Sequence, residues 1–317
     1  MSYAQGNLIE ATDYYTLAAA GSPYTGQYIG QHWGTGTSDR GMGQNMSAIS
    51  HPPNNVSTGN VITAVQWTGL IQTINNCLAH QGHAPVSPLT VVTGNPASYY
   101  ASITVGSALA YASAGTTGLA LSDSSAFTST FSGPWGATGG QTLETIHTVT
   151  FSSADAARYF FNSGGKIKLA FSRSGGSATP RNLDWSNLCS DAGVVQIGYK
   201  NTDRAGGTGT YYATNASNGG YWNLSTGYVN QFRQFLGSGY GYGGYGSGLI
   251  KVDAAWSGTL SNGGYPVLLV RTVMDDAVSS SSVDGTTSVS LVVSSPATTY
   301  LANTWGSPAV SSTVSAI

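Results

Sequence analysis

Apolar residues recur along this chain with two different periods, and the change between them divides it. Near the start the period is helical. Leu8 to Leu17 leads into an alanine run that Gly21 stops, with Thr12 or Asp13 placed to cap. A second helix is predicted from Ala64 to Gln81, where Val65, Trp67, Leu70, Ile71, Ile74, Cys77 and Leu78 form one apolar stripe. Thr63 and Gln66 make a capping box before it, and Gly82 ends it. Ile9, Ala11, Tyr14 and Leu17 repeat as Ile62, Ala64, Trp67 and Leu70, a short internal duplication.

From about Leu143 the period falls to two. Thr145–Phe151 and Lys166–Ser172 alternate as half-buried strands. Between them Ser153 caps a short helix that runs to Phe161 and stops at Gly164-Gly165. A second short helix is expected around Leu183–Ser190, then strands at Val194–Tyr199, Leu249–Trp256, Pro266–Val273 and Thr286–Val293. Tyr211-Tyr212 and Tyr221-Trp222 are read as flanking a hairpin loop, and 226–236 fits either helix or strand. The fold class expected is α+β and β-rich: an N-terminal helical or extended region, then an antiparallel β-sandwich-like region with short inserted helices. The domain reading is 1–85 as a helical docking region, 86–140 as a Gly/Ala/Ser/Thr-rich connection, and 141–317 as the β domain.

Composition changes what this fold is expected to do. Only 8% of residues are charged, against roughly 25% in a typical soluble domain, while glycine reaches 43 residues. A surface so poor in charge does little to repel copies of itself. The formal net charge is -2 and there is no Lys/Arg run, so nucleic acid is not an expected partner. No apolar stretch approaches the ~20 residues that cross a bilayer, and no signal peptide is read at Met1–Asn7. Cys77 and Cys189 both fall in predicted helices and read as free buried thiols.

Candidate chemistry is sparse. His80-x-x-His83 crosses the Gly82 stop and lacks a third ligand, and His32, His51 and His147 stand alone. Asp275-Asp276 and Asp203 are the acids a glycosidase pair or a Ca²⁺ site would use, but no surrounding motif supports them. They read as solvated turn or strand-end residues. Neither G-x-S-x-G, H-E-x-x-H nor a Walker sequence occurs. No catalytic residue, metal or cofactor is expected. The tract from Gly237 to Gly246 carries Tyr240, Tyr242 and Tyr245 on a glycine-rich loop, where tyrosines can stack on sugar rings or bury in a partner.

Ordered phrases along the chain resemble tail-associated virion proteins of tailed bacteriophages, especially those of cyanobacterial and marine phages. They include Ile9-x-Ala11-Thr12-Asp13-Tyr14, Trp33-Gly34-Thr35-Gly36 with Asp39–Gln44, and Val61–Trp67 with His80-Gln81-Gly82. Phe151–Asn162, Asn182-Leu183-Asp184-Trp185, Tyr221–Leu224 and Asp284-Gly285-Thr286 continue the series. Met42 and Trp222 stand where tyrosine would be typical. The resemblance implies a structural, oligomeric virion protein of the tail, fibre or baseplate, made in the host cytoplasm, with other virion proteins and its own copies as partners. The stripe of Trp67, Leu70, Ile71, Ile74 and Leu78 is then the expected assembly interface. The alternatives are a receptor-binding tail protein that contacts host surface glycan through Tyr240, Tyr242 and Tyr245, and a capsid decoration protein. A polysaccharide depolymerase using Asp275 and Asp276 stands behind them.

Overall fold

The computed structural model describes residues 121–136, 142–199, 201–213, 220–221, 224–236, 248–261, 264–276, 282–296 and 303–317. Two antiparallel six-stranded sheets face each other across one hydrophobic core. Sheet I contains β1 (Leu121–Asp123), β2 (Phe127–Phe131), β4 (Lys166–Ser174), β5 (Val194–Ile197), β6 (Thr202–Ala205) and β11 (Thr286–Pro296). Sheet II contains β3 (Thr142–Thr150), β7 (Tyr211–Ala213), β8 (Val229–Phe235), β9 (Leu249–Ser257), β10 (Val267–Asp275) and β12 (Ala309–Ala316). The order in sheet II is β12-β3-β10-β9-β8-β7; in sheet I it is β1-β11-β4-β5-β6, with β2 also on β11.

Strict alternation builds the core. β3 turns Leu143, Thr145, His147 and Val149 inward, and β10 does the same with Leu268, Val270, Thr272 and Met274. From sheet I, Ile167, Leu169, Val195, Val289 and Leu291 meet them. β1 and β2 form one bulged strand along β11. Asp123 pairs with Ser294 and Phe127 with Leu291, so four steps on one side match three on the other. Ser124 bridges the irregularity, donating its N–H to Val293 O and accepting the Val293 N–H on its hydroxyl.

Two helices cap the sandwich. In α1 (Ala154–Asn162) the Ser153 hydroxyl accepts the Ala156 N–H, and Ala156, Ala157, Phe160 and Phe161 share the buried face. Phe161 stacks on Tyr221 and meets Trp256 edge-on. α2 (Pro180–Asp191) packs on β4 and buries Trp185 against Trp135 at 4.7 Å between ring centroids. Cys189, inside α2, is a free buried thiol whose pKa burial pushes up to about 12.

The predicted sandwich, its inserted helices and most strand positions are present, with these differences. The sandwich starts at Leu121, inside the 86–140 connection, rather than at 141. α2 begins at Pro180, three residues ahead of Leu183, because Thr179 caps it and proline suits the first helical turn. The ambiguous 226–236 stretch is strand β8. β7 pairs with β8, not with a strand at 221, since Tyr221 is held in the core by Phe161 and Trp256. The helices predicted at 8–17 and 64–81 lie outside the described residues.

Candidate functional site

Two surfaces gather what chemistry the chain has. The first is where the Asp284-Gly285 turn meets the loop between β4 and α2. Asp284 accepts the Ser177 N–H at 3.0 Å and the Ser177 hydroxyl at 2.6 Å, with further donors from Asn182 Nδ2 and Arg173 Nη2. The Ser177 hydroxyl, then the other donors, hold its carboxyl below the usual range. Asn182 Oδ1 accepts the Asp284 N–H in return. Gly285 takes φ +87°, and a Cβ there would meet Ser174 O at 2.6 Å, so only glycine completes the turn. A cleft of about 670 Å³ lies beside this clamp, lined in part by Arg173, Ser177, Thr179, Asn182 and Leu183. Through these bonds Asp284 ties its own turn to the loop between β4 and α2. Asp284→Ala is expected to loosen the loop, seen as faster limited proteolysis within 175–179 at unchanged far-UV circular dichroism.

The second surface is the outer face of sheet II. Register sets Tyr212 beside Arg233, Arg233 beside Lys251, Lys251 beside Val273 and Val273 beside Glu144. The next row runs Asn230, Asp253, Arg271, Ile146. Asp253 is the hub: Arg271 donates to it at 2.7 Å and Asn230 at 3.1 Å, and Lys251 lies at 2.9 Å. Burial pushes its pKa up, but those donors outweigh burial and the net shift is downward. Arg271 lies 4.1 Å over the Tyr228 ring, and Arg233 lies 5.0 Å over that of Tyr212. Both rings remain open to solvent, Tyr212 at 53% and Tyr228 at 37% exposure.

The acids singled out in the sequence separate. Asp276 is buried, not solvated, and accepts the Arg181 Nε–H at 2.6 Å. Its burial follows from α2, which places Arg181 directly against it, and Arg181 also donates to Gly136 O. Gly136, at φ +68°, leaves room for this pair, since a Cβ there would press on the Asp276 carboxylate. Asp275, one residue earlier, ends β10, whose odd-numbered residues face outward on sheet II, so the two carboxyls do not flank a common bond. Asp203 pairs with Lys166 at 3.5 Å. His147 is fully buried on β3, with Ser129 at 3.4 Å from Nε2. Trp67, Leu70, Ile71, Ile74 and Leu78, and Tyr240, Tyr242 and Tyr245, lie outside the described residues. So do His32, His51, His80, His83 and Cys77.

Among the described residues no group of three His, Cys, Asp or Glu could hold a metal ion, and no helix is long and apolar enough to cross a membrane. Comparison with family models, characterised proteins and solved structures returns no match. The sheet II face was missed in the sequence because Tyr212 and Arg233 meet only through the β7–β8 pairing. The one signal available was Tyr211-Tyr212 with its period-two partner faces.

Proposed function

We propose that this protein is a structural component of a tailed-bacteriophage particle, of the tail, fibre or baseplate kind, and that it works by assembling with its own copies and other virion proteins. The virion half of this reading rests on the ordered phrases that resemble tail proteins. The assembly half is carried by one observation, the edge strand β12. Exposed sheet edges are normally guarded by lysine, proline, a bulge or shortness, because their unpaired N–H and C=O groups template pairing with another chain. β12 is eight residues long, Ala-Val-Ser-Ser-Thr-Val-Ser-Ala, with no charge, no proline and no register shift against β3. Among the described residues nothing pairs with its other side.

The polarity of that edge follows from the ladder. Ile317 and Thr142 exchange both N–H···O bonds, so Thr313 and Ser311 also bond to β3. Val314, Ser312 and Val310 therefore point their N–H groups outward. Ser311→Lys/Thr313→Lys charges two exposed positions without touching the ladder, and Val314→Pro deletes one outward N–H. Both variants are expected to sediment at the mass of a single chain at concentrations where the parent protein is oligomeric. A parent that is monomeric at high concentration, or absent from purified particles by mass spectrometry, would sink the proposal.

A further inference from the structure

The outer face of sheet II carries more chemistry than a packing surface in so charge-poor a chain requires. We infer that it is a saccharide-binding site, with Tyr212 and Tyr228 as stacking platforms and Arg233 as the anchor for a carboxylate on the sugar. The site goes beyond the assembly reading and occupies a face, not the β12 edge, so either can fail alone.

Three observations carry it. The first is aromatic exposure. Tyr212 on β7 and Tyr228, one residue before β8, stay open while the large aromatics elsewhere on β7–β9 are buried or half-buried. An amphipathic ring on a rigid element presents a flat apolar face and a hydroxyl at low entropic cost, which suits the C–H face and hydroxyls of a pyranose. The second is spacing. Tyr212 stands on the Arg233–Lys251 row, and Tyr228 is adjacent to the Val229–Ala254 pair. Tyr228 is one step past that pair, level with Ala255, and Lys251 to Ala255 is four residues of β9, or about 13 Å. Engaging both rings takes an oligosaccharide rather than one sugar.

The third is charge. Lys251 and Arg271 are committed to Asp253 and Glu144. Arg233 is exposed, stands beside Lys251 in register, and has its guanidinium over the Tyr212 and Phe235 rings, with no ion pair or side-chain hydrogen bond among the described residues. A guanidinium held over aromatic faces with its N–H edge free is preorganised to grip a carboxylate in two-point fashion. Asn230 and Lys251 lie half-buried on the strands between the rings, while Asp253 beneath them is buried and held by Arg271, Lys251 and Asn230.

The test uses the full chain on an array of neutral oligosaccharides and of oligosaccharides containing uronic or sialic acids, with Tyr212→Ala, Tyr228→Ala and Arg233→Gln alongside. The parent is expected to retain carboxylated oligosaccharides. Arg233→Gln should weaken that retention about tenfold or more, the scale of one charge-assisted bond. Either tyrosine variant should lose it, with melting temperature and sedimentation unchanged. The site is overturned if no carboxylated saccharide binds, or if all three variants bind as the parent does. Loss confined to Tyr240→Ala/Tyr242→Ala/Tyr245→Ala would overturn it equally, by moving the contact to the glycine-rich tract. Failure here with intact β12-dependent oligomers leaves the assembly reading standing.

Discussion

Asp276→Ala is expected to cost about 3–5 kcal/mol of folding stability, because it removes the buried carboxylate to which the Arg181 guanidinium donates. Arg181 and Asp276 are both almost completely buried, and the arginine reaches its partner from α2 across the end of sheet II. Removing both charges is a different experiment. Arg181→Met/Asp276→Leu takes away the desolvation cost together with the attraction, and is expected to recover most of the loss. Asp275→Ala, one position away and half-exposed, should change stability by less than about 1 kcal/mol. Urea denaturation of the four proteins separates these outcomes. Equal losses for Asp275→Ala and Asp276→Ala would show that the buried pair is not what holds α2 to sheet II.

Acid should destabilise the sandwich through His147. Burial holds its pKa down from 6.5 to about 4, with a smaller opposing pull from the backbone at Phe127. The folded protein therefore keeps His147 neutral where the unfolded chain has already taken up a proton. Stability is full above pH 6.5, falls as the pH drops towards 4, and changes no further from this group below that. A shift of this size corresponds to on the order of 3 kcal/mol. The side chain sits where the sheets meet: Ser129 of β2 lies against it, and the Ser129 hydroxyl donates to Ser312 of β12 at 2.5 Å. Phe127 on β2 meets its ring edge-on, and the residues it meets on β2 and β12 carry no charge. His147→Leu removes the titration but keeps an inward apolar side chain. Its urea midpoint should drop less than the parent's between pH 6.5 and 4.5, and identical slopes would rule the mechanism out.

Much of the β region was legible because its contrast is high. Lys-Ile-Lys-Leu in β4 and the alternation of β3 state which face is buried, and Ser153 with Gly164 brackets α1 without any tertiary information. β12 escaped because Ala, Ser, Thr and Val differ too little in polarity for a period to stand out. β1 and β2 escaped because the bulge between Asp123 and Phe127 breaks the alternation, and only β11 restores it. The Thr179-Pro180 start was a local signal overlooked, since proline just inside a helix is a start marker as well as a breaker. The sites were less legible than the fold. Asp275 and Asp276 are identical as letters, and the difference between them is supplied entirely by Arg181, 95 residues away. Arg233 reaches Tyr212 only after the register shift at Asn230–Phe232 has set which residues of β8 face outward.

β11 has a consequence for how the protein is made. It is the strand that joins the β1–β2 segment to β4, and the Thr128–Ser290 contact across that junction spans 162 residues of chain. While the ribosome is still upstream of Thr286, the inner apolar edge of β4 and the whole of β1–β2 have no neighbour to close against. Closing so long a loop is slow, and the nascent chain exposes unpaired strands throughout the wait. β4, β5 and β6 can pair beforehand, but sheet I is completed only after β11 has emerged, which is expected to make refolding slow and its yield steeply dependent on protein concentration.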